Sequence, residues 1–290
     1  MYASIRDAMV LNAGYRTILE GLNDLGLTAT EMDFSRHCAV RALTLPGASF
    51  FLNEEHSREE FAAHVEEAGI HVSALLLANN FNASDLSNEV AWCAQAVKAA
   101  GSLGIKAVRI DSIMRDQDQM DLGTRVDRFT RGITWLLEET EDTGVPLGVE
   151  NHGGKGNDRE FLDAVLEAVD SPRLGMTLDT GNFYWYGYPL DTVYEILKHF
   201  APCTKHTHVK NINYPESERR KQREIGWKYG EYACPIPDGD IDHCRVLGFL
   251  KDAGYQGDIC IEDESLGRFP EKERQGILKR DAEYLKSLIE

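Results

Sequence analysis

Short apolar runs alternate along this chain with longer segments of helical period. "YRTILEGLNDLG" precedes "ATEMDF" (Ala29–Phe34), "REEFAAHVEEAG" precedes "HVSALLLANN" (His71–Asn80), and "VAWCAQAVKAAGSLG" precedes "KAVRIDS" (Lys106–Ser112). The runs continue with "PLGVENH", "LGMTLDTGN" (Leu174–Asn182), "TKHTHVKN" (Thr204–Asn211) and "GDICIEDES" (Gly257–Ser265), and the helical "EKERQGILKRDAEYLKSLIE" closes the chain. Strand-length runs separated by helical segments that often end in Gly predict parallel strands joined by right-handed crossovers. A first strand near "SIRDAMVL" brings the total to about eight βα units, which predicts an α/β fold, a closed (β/α)8 TIM barrel. The rival, an open doubly wound sheet, normally has a Gly-rich turn after its first strand, and none is present here. No linker or shift in composition divides the chain, so residues 1–290 are read as one domain. Two long connections, Ser35–Ser57 and Ile212–Asp242, are expected to build a pocket at the strand ends.

Side chains alternate along a strand, so the runs can be sorted into two faces. With Glu150 inward, Gly148 and His152 follow it, while Leu147 and Val149 face the helices. In the next run Gly175, Thr177 and Asp179 share the inner face; then Thr204, His206, His208 and Lys210; then Asp258, Cys260, Glu262 and Glu264. Successive strands thus carry Glu150, Asp179, His208 and Glu262 inward at their C-terminal ends. Each has an ordinary alternative taken alone: a barrel ion pair for either glutamate, a turn or cap for Asp179, a core histidine for His208. Together, buried carboxylates beside an imidazole repel one another unless a cation offsets the charge. An oxygen-rich set with one imidazole suits Mn²⁺, Mg²⁺ or Co²⁺, with Zn²⁺ possible, and the lack of Cys speaks against a structural zinc site.

Composition narrows the function. Hydrophobic residues make up 42% of the chain and charged residues 27%, as in ordinary globular proteins. The net charge of -17 is a poor match for nucleic acid or an anionic membrane. No stretch approaches the roughly 18 apolar residues of a spanning helix, and the N-terminus lacks a long apolar core, so a cytoplasmic location is expected. The six cysteines form no CxxC pair and read as reduced thiols.

"GVENHGG", "LDTGNF", "HTHVKN", "CPIPDGDID" and "YQGDICIEDES" resemble the xylose-isomerase-like TIM-barrel superfamily of sugar phosphate isomerases and epimerases. The likeness is close from Pro146 to Ser265 and is one of rhythm, not motif, before that. It implies one divalent ion held by Glu150, Asp179, His208 and Glu262. His208 is preferred to His206 because the family's ligand lies two residues before a Lys, here Lys210. It also implies that Glu150 and Glu262 form the acid/base pair. Two positions depart from the pattern: Asn182 stands where many members have a second His, and Tyr214 where ketose 3-epimerases have an Arg.

The expected chemistry is enolisation of a sugar-like carbonyl compound, in which the ion acts as Lewis acid and the two glutamates move protons. Isomerisation, epimerisation and loss of a β-hydroxyl all start from it. His152, Asn182, Lys210, Glu31, Arg109 and Trp185 are candidate substrate contacts. The aromatic group from Phe183 to Tyr186 is a candidate pocket wall. "GGKG" (Gly153–Gly156) and "ERRKQR" (Glu218–Arg223) are weak phosphate-binding candidates. A metal-dependent isomerase or epimerase is the leading reading, ahead of a lyase on a keto-inositol or 3-keto-sugar. An endonuclease IV-like nuclease and a sugar-binding barrel without catalysis come after it. A homodimer or homotetramer is expected from the resemblance alone.

Overall fold

A computed structural model describes residues 1–289. Eight parallel strands form one sheet: β1 (Tyr2–Arg6), β2 (Ala29–Asp33), β3 (His71–Leu76), β4 (Val108–Asp111), β5 (Leu147–Glu150), β6 (Leu174–Asp179), β7 (Thr204–His208) and β8 (Asp258–Ile261). They follow chain order, with β8 paired to β1. The remaining seam lies between β7 and β8. There Val209 donates its N–H to Cys260 at 2.8 Å and accepts from Glu262 N–H at 3.0 Å, and the Thr207 hydroxyl bridges to Cys260 N–H and Asp258 C=O. The sheet is therefore an almost closed barrel.

A helix follows each strand: α1 (Ile18–Leu25), α2 (Glu55–Glu67), α3 (Leu86–Leu103), α4 (Leu122–Glu139), α5 (Arg159–Val169), α6 (Leu190–Phe200), α7 (His243–Asp252) and α8 (Glu271–Ile289). Sequence marks their ends. Asp85, Asp121, Asp158 and Asp242 cap helix N-termini with their carboxylates, and Gly26 and Gly104 close helices in the left-handed region. The outward strand positions Leu147, Val149, Met176, Leu178, Ile259 and Ile261 are fully buried under the helices. Removal of this apolar surface from water holds the two layers together.

The structure corrects three details. The first strand ends at Arg6, and "DAMVLN" forms a short helix, Asp7–Asn12. Thr204 does not share the inner face with His206. The β6–β7 register shifts between Met176 and Thr177, and the Thr204 hydroxyl instead donates to Phe200 C=O at the end of α6. The bulge absorbs one residue and flips the parity on its far side. The third concerns Glu218–Arg223, the weak phosphate-binding candidate: two of its basic residues are already engaged within the protein. Arg223 is buried, lies over the Tyr184 and Tyr214 rings and donates to four backbone carbonyls, while Arg219 pairs with Asp240 at 2.9 Å.

Candidate metal centre

Glu150, Asp179 and His208 are the last residues of β5, β6 and β7, and Glu262 directly follows β8. They do not occupy one row of the ladder: Glu150 pairs with Thr177, whereas Asp179 pairs with His208. Strands in a barrel tilt against its axis, so a row climbs as it passes round the sheet. That tilt brings donors from different rows to one height. Each of the four offers one atom within 4.8 Å of all the others, and all four are buried.

Two of the candidate donor atoms make no hydrogen bond among the described residues. His208 Nε2 faces Glu31 Oε2 at 2.8 Å, but Nδ1 makes no hydrogen bond among the described residues and lies 3.3 Å from Glu150 Oε1 and 3.5 Å from Glu262 Oε2. Asp179 Oδ1 accepts from Gly181 and Asn182 N–H at 2.8 and 2.7 Å, and Oδ2 has no hydrogen bond, with only the Lys210 ammonium 3.1 Å away. A buried polar atom without a partner is rare in native proteins. Here both such atoms point into one oxygen-rich cluster, an arrangement that fits a divalent cation.

The surrounding charges hold the cluster in shape. The Arg109 guanidinium grips Glu150, whose other oxygen accepts from Asn182 Nδ2 at 3.2 Å. Arg6 grips Glu262 and also reaches Asp33 at 3.0 Å. Lys210 donates to Glu262 at 3.0 Å and Glu264 at 2.8 Å. Its stem crosses Gly181, where a Cβ would sit 2.6 Å from Lys210 Cγ. Burial pushes the Glu150 and Glu262 carboxyls upward, but the opposing pull of Arg109 and His208 on one and of His208 and Lys210 on the other wins, leaving both carboxyls lowered. Asp179 goes the other way: burial, reinforced by Glu262 and Glu150 against Lys210, drives it up to about 8. A carboxyl crowded this way is relieved by a bound cation.

His152 Nδ1 lies 3.1 Å from each Asp111 oxygen, with its side chain 38% exposed at the barrel mouth. Arg109 is buried and fully engaged with Glu150, Asp111 and Leu77 C=O. Glu31 lies deeper, with both oxygens on histidines. Trp185 is half-buried against the long loop at Gly226, whereas Phe183 and Tyr184 belong to the core. Sequence reasoning passed over Arg6 and Asp111, and it set His206 aside. Arg6 and Asp111 end β1 and β4, so applying the parity test to those strands would have found them, and His206 is the inward position two residues before His208.

Residues 19–288 match the family described as xylose isomerase-like TIM barrel. The chain belongs to that family. An uncharacterized protein of Methanocaldococcus jannaschii is 31% identical over 135 residues, 45% of this chain and 41% of that relative. The inosose dehydratase of Clostridium perfringens is 26% identical over 140 residues, 47% of this chain and 46% of the enzyme. The match therefore spans less than half the length of these curated relatives. Among solved structures, the IolI protein with a bound zinc atom superposes with a TM-score of 0.68 at 18% identity, covering 97% of this chain and 96% of that one. No described helix is long and apolar enough to cross a membrane.

Proposed function

We propose that the protein is a divalent-metal-dependent enzyme that enolises a small polyhydroxylated carbonyl compound, as a sugar isomerase or epimerase does. The convergence of Glu150, Asp179, His208 and Glu262, with His208 Nδ1 and Asp179 Oδ2 both making no hydrogen bond among the described residues, carries this reading. These four residues would hold the ion, which supplies Lewis acidity to a carbonyl and an adjacent hydroxyl when bound. Zinc in the IolI protein makes Zn²⁺ a candidate beside Mn²⁺, Mg²⁺ and Co²⁺.

The chain's own groups then divide the work. Glu150 and Glu262 project from β5 and from the end of β8, on different sides of the mouth, so one removes a proton α to the carbonyl and the other returns one. Arg109 and Asn182 fix Glu150, and Arg6 and Lys210 fix Glu262, so each carboxylate keeps its aim. His152, oriented by Asp111 and open to the mouth, is placed to donate to a substrate oxygen.

A second reading, loss of a β-hydroxyl, has specific support. A curated relative is an inosose dehydratase. The position where ketose 3-epimerases carry an Arg is the buried Tyr214, and the neighbouring Arg223 is held by backbone carbonyls. Elemental analysis of the purified protein, beside Glu150→Gln and His208→Ala, tests the shared basis of both readings. About one divalent ion per chain, lost in both variants, is the expected outcome. No ion after reconstitution would sink both readings. Incubation with ketoses and keto-inositols in deuterated water then separates them: exchange at carbon without loss of water supports the isomerase, and a new conjugated carbonyl absorbance supports the dehydratase.

A further inference from the structure

We propose that Glu31 is a positioning residue that aims His208 at the ion, and that His206 and Asp258 hold Glu31 in place to do so. This inference rests on the divalent-ion reading above. Glu31 sits on β2, across the barrel from β7. Its Oε2 lies 2.8 Å from His208 Nε2 and its Oε1 lies 2.9 Å from His206 Nε2. His206 Nδ1 lies 2.9 Å from Asp258 Oδ1, and Asp258 Oδ2 accepts from Ser4 at 3.3 Å. The chain His208–Glu31–His206–Asp258 is buried throughout.

Its proton pattern follows from the partners. A carboxylate accepts only, so each nitrogen facing Glu31 or Asp258 is a donor. His208 therefore keeps an N–H on Nε2, and Nδ1, which faces Glu150, Asp179 and Glu262, is the nitrogen left to meet an ion. A ligand histidine whose far nitrogen donates to a carboxylate is fixed in ring orientation and is more basic. His206 donates from both nitrogens and so offsets the charge of Glu31 without reaching the ion.

Glu31, His206, His208 and Cys260 also gather four potential ligand atoms, as a second metal site would. The hydrogen bonds argue against that. Both oxygens of Glu31 and both nitrogens of His206 are already taken, so an ion there would have to break both Glu31–histidine contacts.

Glu31→Gln tests the assignment. The amide keeps the volume but offers one acceptor and one donor to two donor nitrogens, so one contact becomes donor against donor. Full-length metal-free wild type and variant are titrated with Co²⁺ against a chromophoric chelator, and the visible Co²⁺ spectrum is recorded. We expect one ion per wild-type chain, an affinity about 10–100-fold weaker in Glu31→Gln, and an altered spectrum showing changed ligand geometry. His206→Gln, which spares the Glu31–His208 contact, should weaken binding less and serves if Glu31→Gln fails to fold. Wild-type affinity and spectrum in whichever of these variants folds would overturn the proposal. So would two ions per wild-type chain, one of them lost in Glu31→Gln with a thiolate–cobalt band in the wild type. Absence of any binding by the wild type would instead fell the divalent-ion reading on which the proposal stands.

Discussion

The two halves of the barrel do different things at the same mouth. β5 to β8 end in the four donors, Glu150, Asp179, His208 and Glu262. β1, β2 and β4 carry Arg6, Glu31 and Arg109, which touch Glu262, His208 and Glu150; Arg6 and Arg109 reach from the strands next to β8 and β5, and Glu31 from across the barrel. On the reading proposed above, the C-terminal half supplies the metal donors and the N-terminal half balances much of their charge. Three buried carboxylates would otherwise repel one another in a region of low polarity. Fixed guanidinium groups on the neighbouring strands β1 and β4 let them converge before any ion arrives.

The largest effect expected from this division is on stability. Arg109→Met leaves the buried Glu150 with only the Asn182 amide and His208 beside it. Removing one partner of a buried ion pair costs about 3–5 kcal/mol. The loss should be close to that range in the metal-free protein and clearly smaller with saturating divalent ion, which replaces part of the missing positive charge. Urea unfolding with and without the ion measures both values. Equal losses in the two states would show that Arg109 does not balance the metal centre.

The same contrast explains what could be read from sequence. The donors stand at the ends of apolar runs with a period of two, so alternation placed Glu150, Asp179, His208 and Glu262 on one face without any knowledge of tertiary contacts. The closed barrel followed from the βα rhythm. The partners were less legible. Arg6 meets Glu262 across 256 residues and Glu31 meets His208 across 177, and no local pattern encodes such pairings. Glu31 and Arg109 could be placed at strand ends, but their strands lack a motif to say what they face. Thr204 was misplaced because a single-residue bulge inverts parity and leaves no mark in the hydrophobic pattern.

A second charge cluster tests whether the N-terminal half is balanced independently of the ion. Asp7 is buried and accepts from Arg41 at 2.7 Å, and its second oxygen makes no hydrogen bond among the described residues. Burial and the nearby Asp33 carboxyl push it up to about 7, against the pull of Arg41. The native state therefore holds this proton more tightly than the unfolded chain does. Stability from this group is full below the ordinary carboxyl range and is lost as pH rises toward and through about 7. Asp7→Asn should remove that slope, so the variant gains on the wild type between about pH 5 and about pH 8. Unfolding midpoints across that range, measured without metal and with it, should show the same difference in both. A slope that disappears on adding metal would tie Asp7 to the centre and blur the division between the halves.

The smallest effect should come from within the C-terminal half. Asn182 lies just after β6; its backbone N–H holds Asp179 Oδ1 and its side chain donates to Glu150. Asn182→Ala keeps the first contact and removes the second. A hydrogen bond to a charged group contributes about 1.5–3 kcal/mol, but the Arg109 grip on Glu150 remains and should absorb much of the loss. Metal affinity should fall by less than about tenfold, which corresponds to under about 1.4 kcal/mol. A larger fall in affinity than Arg109→Met produces would mean that the Asn182 amide, and not the guanidinium from β4, sets the aim of Glu150. The holding function would then belong to the same half as the donors.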